Sequence, residues 1–162
     1  MRKTVITVLT AIHLSAIGVP TLVSAQQGDD PNLESVEADD PEMNAAIAEA
    51  QRTLPTFLAV LEDPPQGASN LSFKFPLSGW EHIWVSNLRR DGDYLIGRLS
   101  NVPQQPEWSE GDPVRVPMKN ISDWAWLDSD GVMQGHHTTR VILRRIDPKR
   151  AAMIRNNLGW NR

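Results

Sequence analysis

The sequence predicts an α+β domain: an N-terminal kinked helix, an antiparallel sheet of about five or six strands, and a C-terminal helix. Three observations carry this. Apolar residues recur at helical spacing from Met43 to Leu61, the period changes to two at Leu71, and a cap-and-proline pair at Asp147-Pro148 opens a second helix near the end. The order helix, strands, helix implies that the helices cover one face of the sheet.

The first helix starts at Asp40-Pro41, where an aspartate can accept free backbone amides and proline suits the first helical position. Met43, Ile47, Ala50, Leu54, Phe57, Leu58 and Leu61 form one stripe. Pro55 interrupts it without shifting its phase, which predicts a kink. Asp63-Pro64-Pro65-Gln66-Gly67 ends the helix. Leu71, Phe73 and Phe75 then alternate with Ser72 and Lys74 as a half-buried strand. Glu81 to Leu88 and Tyr94 to Leu99 are strands joined across Asp91-Gly92, a pair that tolerates a tight hairpin turn. Val114 to Val116 is a short strand. Trp124 to Leu127 and Val132 to Arg144 are expected to form another hairpin across Asp128-Ser129-Asp130-Gly131. The last helix runs from Pro148 to about Leu158, with Gly159 as its stop.

Residues 1–25 read as an export signal. Arg2 and Lys3 precede an apolar stretch from Val5 to Val23, and Val23-Ser24-Ala25 places small residues where a signal peptidase cuts. Thr4, Thr7, Thr10, His13, Ser15 and Pro20 dilute that stretch, so it makes a poor permanent span, and no transmembrane segment is expected after cleavage. With no cysteine following it, lipid attachment has no acceptor. Residues 26–39 hold Leu33 and Val36 as their only large apolar side chains and are expected to form an acidic disordered tether. Residues 40–162 form the single folded domain, and the compartment is the periplasm or the exterior.

Composition excludes several classes. The 162-residue chain has no cysteine, so disulfides, thiolate zinc and a cysteine nucleophile are ruled out. Its net charge of −4 falls to −6 once Arg2 and Lys3 leave, which argues against nucleic acid as a partner. The charge is polarised. Asp29, Asp30, Glu34, Glu37, Asp39, Asp40 and Glu42 lead the folded part, while Arg140, Arg144, Arg145, Lys149, Arg150, Arg155 and Arg162 end it. A solvated arm and a basic helix face account for this, or the basic end meets an acidic partner or anionic surface.

The run Asp40-Pro41-Glu42-Met43-Asn44-Ala45-Ala46, with Thr53-Leu54 and Phe57, resembles the opening helix of a bacterial domain-of-unknown-function family, number 2314. Glu81-His82-Ile83-Trp84-Val85, Gly97-Arg98-Leu99-Ser100-Asn101, Gly111-Asp112-Pro113-Val114 and Ile121-Ser122-Asp123-Trp124 resemble its later motifs in the same order. The resemblance covers roughly residues 40–143. It implies one α+β domain of bacterial source, hence the periplasm, and it implies no activity.

No catalytic signature stands out. Glu81-His82 and His136-His137 supply the only histidines beyond the signal. Neighbours on a strand face opposite sides, so neither a three-ligand zinc site nor any other metal or cofactor site is expected. Ser122, His82 and Asp123 make a serine triad only on paper, outside any G-x-S-x-G turn. Asp128-Ser129-Asp130-Gly131 lacks the twelfth-position glutamate of a calcium loop, where Thr139 stands. The aromatics point elsewhere. Trp80, His82 and Trp84 share one strand face while Ile83 and Val85 share the other, and Trp124 and Trp126 share a face too. With Asn101 and Asp123 at turn positions, the candidate binding set is Trp80, His82, Trp84, Asn101, Asp123 and Trp124. The expected function is a non-catalytic exported binding protein whose partner is a protein or envelope ligand, with toxin neutralisation as one specific version. The alternative is a cell-wall or small-molecule hydrolase using Glu81, His82 and Asp123.

Overall fold

The computed structural model describes residues 3–7 and 33–161, with side chains from residue 37 onward. The chain is α+β. Strands β1 (Lys3–Thr7) and β2 (Leu33–Glu37) precede helix α1 (Pro41–Glu62). Then come β3 (Ser69–Leu77), β4 (Glu81–Asp91), β5 (Tyr94–Leu99), β6 (Pro113–Pro117), β7 (Asp123–Leu127) and β8 (Met133–Gly135). Helices α2 (His137–Ile142) and α3 (Pro148–Asn157) close the fold.

Most of the export segment and of the tether lie outside the described residues. Within the tether, Leu33–Glu37 is a strand, antiparallel to β1. Its own two apolar residues gave no sign of this, because the ladder is completed by a β-branched partner, Thr4-Val5-Ile6-Thr7. The six strands β3 to β8 pair antiparallel throughout, and β1 joins β4 in parallel. Along the sheet the order is β2-β1-β4-β3-β7-β8, with β5 and β6 extending from the far half of β4.

Helix α1 begins as its sequence dictates. Asp40 accepts the Met43 amide at 2.9 Å, and Pro41 takes the first turn. The helix runs unbroken through Pro55 for 22 residues. Ala50, Leu54 and Phe57 pack on Phe73, Phe75, Ile83, Val85 and Trp124. Register explains why these sheet residues share a face: Phe73 lies opposite both Val85 and Trp124. Phe57 stacks on Trp124 at 5.6 Å between ring centroids. A second apolar cluster joins Met43 of α1 to Val141, Ile142 and Leu143 and to Ala151, Ile154 and Leu158 around α3.

Two expectations are corrected. The strand expected from Val132 to Arg144 stops at Gly135, and α2 follows. Thr138, Thr139, Val141 and Ile142 carry the β-branched composition of a strand, but the Asp123 carboxylate accepts the amides that open a helix there. The second correction concerns the sheet's other face. It is covered as well: Trp84 is fully buried, beside Lys74, His136 and Asp123.

Phe57→Ala should therefore cost about 3–5 kcal/mol in urea unfolding, since a buried, stacked ring leaves a cavity that α1 cannot fill. A loss below about 0.5 kcal/mol would detach α1 from this face.

Candidate functional site

The second face is built by strand register. Trp84 on β4, Lys74 on β3 and Asp123 on β7 lie in one row across three neighbouring strands. All three are completely buried. Sequence alternation had assigned Lys74 to solvent, so this row was not foreseen.

Asp123 gathers the polar groups around it. Its Oδ1 accepts the amides of Trp124 at 2.9 Å and His137 at 3.0 Å. Its Oδ2 accepts the Thr138 amide at 2.8 Å and the Thr138 hydroxyl at 2.5 Å. The same Thr138 oxygen accepts Lys74 Nζ at 2.9 Å, so the hydroxyl stands between ammonium and carboxylate. Lys74 Nζ also lies over the Trp84 ring, 4.6 Å from its centroid. Burial pushes the Lys74 pKa down to about 8, with the Asp123 charge opposing the shift. The ammonium thus remains the main form at neutral pH.

His136 continues the stack. Its ring lies 4.8 Å from Trp84 and 6.1 Å from Trp160, and Arg140 covers the outer face of Trp160 at 3.9 Å. Its backbone is left-handed (φ 54°), which turns the chain from β8 into α2. Gly135 before it is required: a Cβ there would fall 2.1 Å from the Trp124 carbonyl oxygen. His136 Nδ1 meets Thr139 Oγ1 at 3.0 Å, while its Nε2 and the Trp84 indole nitrogen are buried without a hydrogen-bond partner. Burial brings the His136 pKa down to about 4.

Glu81 and His82 open β4. Glu81 is 1% exposed, and its two oxygens accept the Gln104 amide at 3.0 and 3.1 Å, with Gln105 Nε2 at 3.2 Å. His82 Nδ1 meets Ser122 Oγ at 2.7 Å. Burial, then the Lys74 charge, lower the His82 pKa to about 4, against the pull of Asp123. Asn101 Oδ1 accepts the Trp84 amide at 3.3 Å. These bonds tie the turn after β5 to the start of β4.

The candidate residues therefore divide. Trp84 and Trp124 are core, and Asp123 is a buried organiser, so none of the three presents a recognition surface. Strand alternation leaves these indoles open between core and surface; they are enclosed because both sheet faces are covered. Trp80, Asn101 and the nearly buried His82 remain together at one end of β4, with Trp80 and Asn101 half-buried. Glu81, His82 and Asp123 do not converge: Glu81 serves the Gln104 turn, and Asp123 serves α2. Sequence reasoning weighed His136 only as a metal ligand and passed over Lys74, Thr138, Gln104 and Gln105. A lysine between two core phenylalanines was the one available signal. Among the described residues no group of three His, Asp or Glu side chains is arranged to hold a metal ion, and no helix is long and apolar enough to cross a membrane.

The charge polarity noticed in the sequence closes on itself in part. Arg145 forks onto Asp40 at 2.6 and 2.9 Å and reaches Glu42 at 2.6 Å, and Arg144 lies 3.6 Å from Glu42. The hydrogen bond from Arg145 holds the Asp40 pKa down at about 2.

Two predictions come from this geometry. Asp123→Ala should destabilise the domain by about 3–5 kcal/mol, because it strands a buried ammonium and two helix-opening amides. Lys74→Met also leaves a buried charge uncompensated, but the Asp123 carboxylate keeps its amide and hydroxyl donors, so the loss should be smaller than that of Asp123→Ala; denaturant midpoints of the two variants decide the order. The histidines set a pH window. Their folded pKa values lie below the ordinary 6.5, so the unfolded chain binds protons first as the solution acidifies. The contribution of the two histidines is complete above pH 6.5 and declines toward pH 4, by roughly 1.4 kcal/mol per pH unit for each ring. Asp40 loses its contribution only at lower pH, between its ordinary value of 3.8 and about 2. Urea midpoints at pH 7 and 4.5 should differ, and His136→Gln should reduce the difference; equal midpoints would mean that both rings titrate as in water.

Residues 40–161 match the family described as "uncharacterized protein conserved in bacteria", DUF2314, and the matched span runs from the α1 cap past α3. A protein of Neisseria meningitidis serogroup B bearing the name "Putative ankyrin repeat protein" is 33% identical over 63 residues, 38% of this chain. The aligned part is 24% of that protein, so the chain spans about a quarter of the relative's length. No solved structure matches. From the N-cap of its first helix onward, the chain belongs to the bacterial DUF2314 family.

Proposed function

We propose that this chain is an exported, non-catalytic binding protein of the bacterial periplasm, acting on a protein or envelope ligand. The observation that carries the reading is the state of its polar side chains. Glu81, His82, Asp123 and Lys74 are each enclosed and hydrogen-bonded within the domain. A general acid or base has to reach its substrate's proton, and these groups are spent on partners inside the domain: Glu81 on Gln104 and Gln105, His82 on Ser122, and Asp123 and Lys74 on Thr138. What the same end of the sheet offers outward is contact surface: half-buried Trp80, and Val102 at 77% exposure on the turn held by Asn101 and Gln104. Aromatic and apolar groups on a pinned backbone lose little entropy when a partner covers them. The leader-like residues 1–25 support export. Neutralising a toxin in the periplasm is one specific form of this role.

One contact favours a second reading, hydrolysis. Ser122 and His82, named as two members of a paper triad, do meet at 2.7 Å. Ser122 is only 2% exposed, and Asp123 spends its carboxylate on α2 rather than on His82. The pair stands as a buried hydrogen bond between β4 and the start of β7.

Trp80→Ala should weaken capture of the partner from periplasmic extract by at least about tenfold and move the unfolding midpoint by less than about 1 kcal/mol. Equal capture by variant and parent would remove this end of the sheet from the binding surface. The hydrolase reading is tested in parallel by turnover of peptidoglycan fragments and simple esters. Activity that disappears in folded Ser122→Ala would overturn the non-catalytic reading.

A further inference from the structure

The first five residues of β4 are paired with β3, where Leu77, Pro76, Phe75, Lys74 and Phe73 lie opposite Glu81, His82, Ile83, Trp84 and Val85. Its other edge is shared. β5 joins only from Val85 onward. Trp84 is closed by the turn after β5, its carbonyl accepting the Ser100 amide at 2.9 Å and its amide donating to Asn101 Oδ1. The backbone of Glu81 and His82 is met on this edge by β1, which runs parallel with Val5 opposite Glu81 and Ile6 opposite His82. β1 lies wholly within residues 1–25, the segment that reads as a cleaved leader.

We infer that leader removal bares the first residues of β4, and that the processed chain takes up there an extended, β-branched or apolar strand of a partner protein, parallel to β4. The inference rests on the export part of the proposed function. Three features of the structure carry it. The edge accepts such a strand in this chain, since Lys3-Thr4-Val5-Ile6-Thr7 is a β-branched run seated on it. Unpaired strand amides and carbonyls are a template for strand addition, and main-chain bonds make that addition tolerant of sequence. The place is also short and fixed. Glu81 binds the Gln104 amide and Asn101 binds Trp84, so the turn between them cannot slide along β4 to cover the gap without breaking those bonds. Val102 projects from that turn at 77% exposure, and half-buried Trp80 precedes Glu81, so apolar surface flanks the edge on two sides. Specificity would come from these two residues, and position from the backbone.

The experiment uses protein expressed with its own leader and purified from the periplasm. Intact mass first reads the export claim: a chain lacking residues 1–25 is expected, and a full-length chain overturns both the export claim and the inference. On the processed chain, amide hydrogen exchange is followed at His82, whose amide shares the edge of Trp84 while those of Glu81 and Ile83 face β3, with and without a synthetic peptide of residues 2–8. The peptide is expected to slow exchange at amides of this edge by at least about tenfold, saturably, while exchange in Phe57 and Leu54 is unchanged. A peptide carrying Ile6→Pro should need more than about tenfold higher concentration, because proline removes a ladder donor. Exchange already slow in the processed chain alone means the chain's own arm closes the edge, and slowing that grows with protein concentration means a second copy does. Either result, or equal effects of the two peptides, overturns the inference while leaving a processed mass intact.

Discussion

The Asp123 carboxylate joins three parts of the molecule that the chain would otherwise leave separate. It sits on β7, in the row that runs through Lys74 of β3 to Trp84 of β4. It accepts the first amides of α2 and the hydroxyl of Thr138. Through that hydroxyl it reaches the buried ammonium of Lys74. A carboxylate and an ammonium withdrawn from water are costly unless every lone pair and proton finds a partner. Here strand register supplies the proximity and a helix start supplies the donors. The end of β8, the left-handed His136 and the beginning of α2 are placed by this demand, and the C-terminal cluster around α3 packs against what it places.

The same constraint explains the asymmetry of the two sheet faces. The α1 face is an apolar layer of phenylalanines, Ile83, Val85 and Trp124. The opposite face alternates cations and rings: Lys74, Trp84, His136, Trp160 and Arg140 succeed one another from the interior to the surface. Rings with electron-rich faces can accompany buried cations where aliphatic side chains cannot. Two buried imidazoles held neutral complete a layer whose energetics depend on pH far more than those of the α1 side.

Both readings of the function turn on what that layer leaves outside. A buried layer whose charged groups are bonded within the domain serves as a platform rather than a reactive centre. At its margin the start of β4 and the Asn101–Gln104 turn are bonded to one another through Glu81 and Trp84. The charged ends of the domain partly neutralise each other through Arg144, Arg145, Asp40 and Glu42, so the acidic N-terminal side chains nearest α1 already have a partner within the chain.

The amino-acid sequence by itself determined the elements that rest on local rules. Asp40-Pro41 and Asp147-Pro148 capped their helices, the Gly92-Asp93 turn closed the hairpin expected there, and the helical stripe through Leu54 and Phe57 faced the core. Each follows from backbone geometry or from a single period within a few residues of chain. The ordered motifs from Asp40 onward also sufficed to identify the family. Tertiary structure alone decided the rest. Whether Trp84 and Trp124 are core or surface depends on what covers the second face, and that covering arrives from residues 136–160, far along the chain. Lys74 alternates with phenylalanines like a solvent-facing residue and is buried only because Asp123 and Trp84 meet it across two strand boundaries. Residues 137–142 carry the composition of a strand and form a helix because a carboxylate fourteen residues earlier accepts the His137 amide. Period and propensity describe a segment, whereas burial and hydrogen-bond partners belong to the segments it meets.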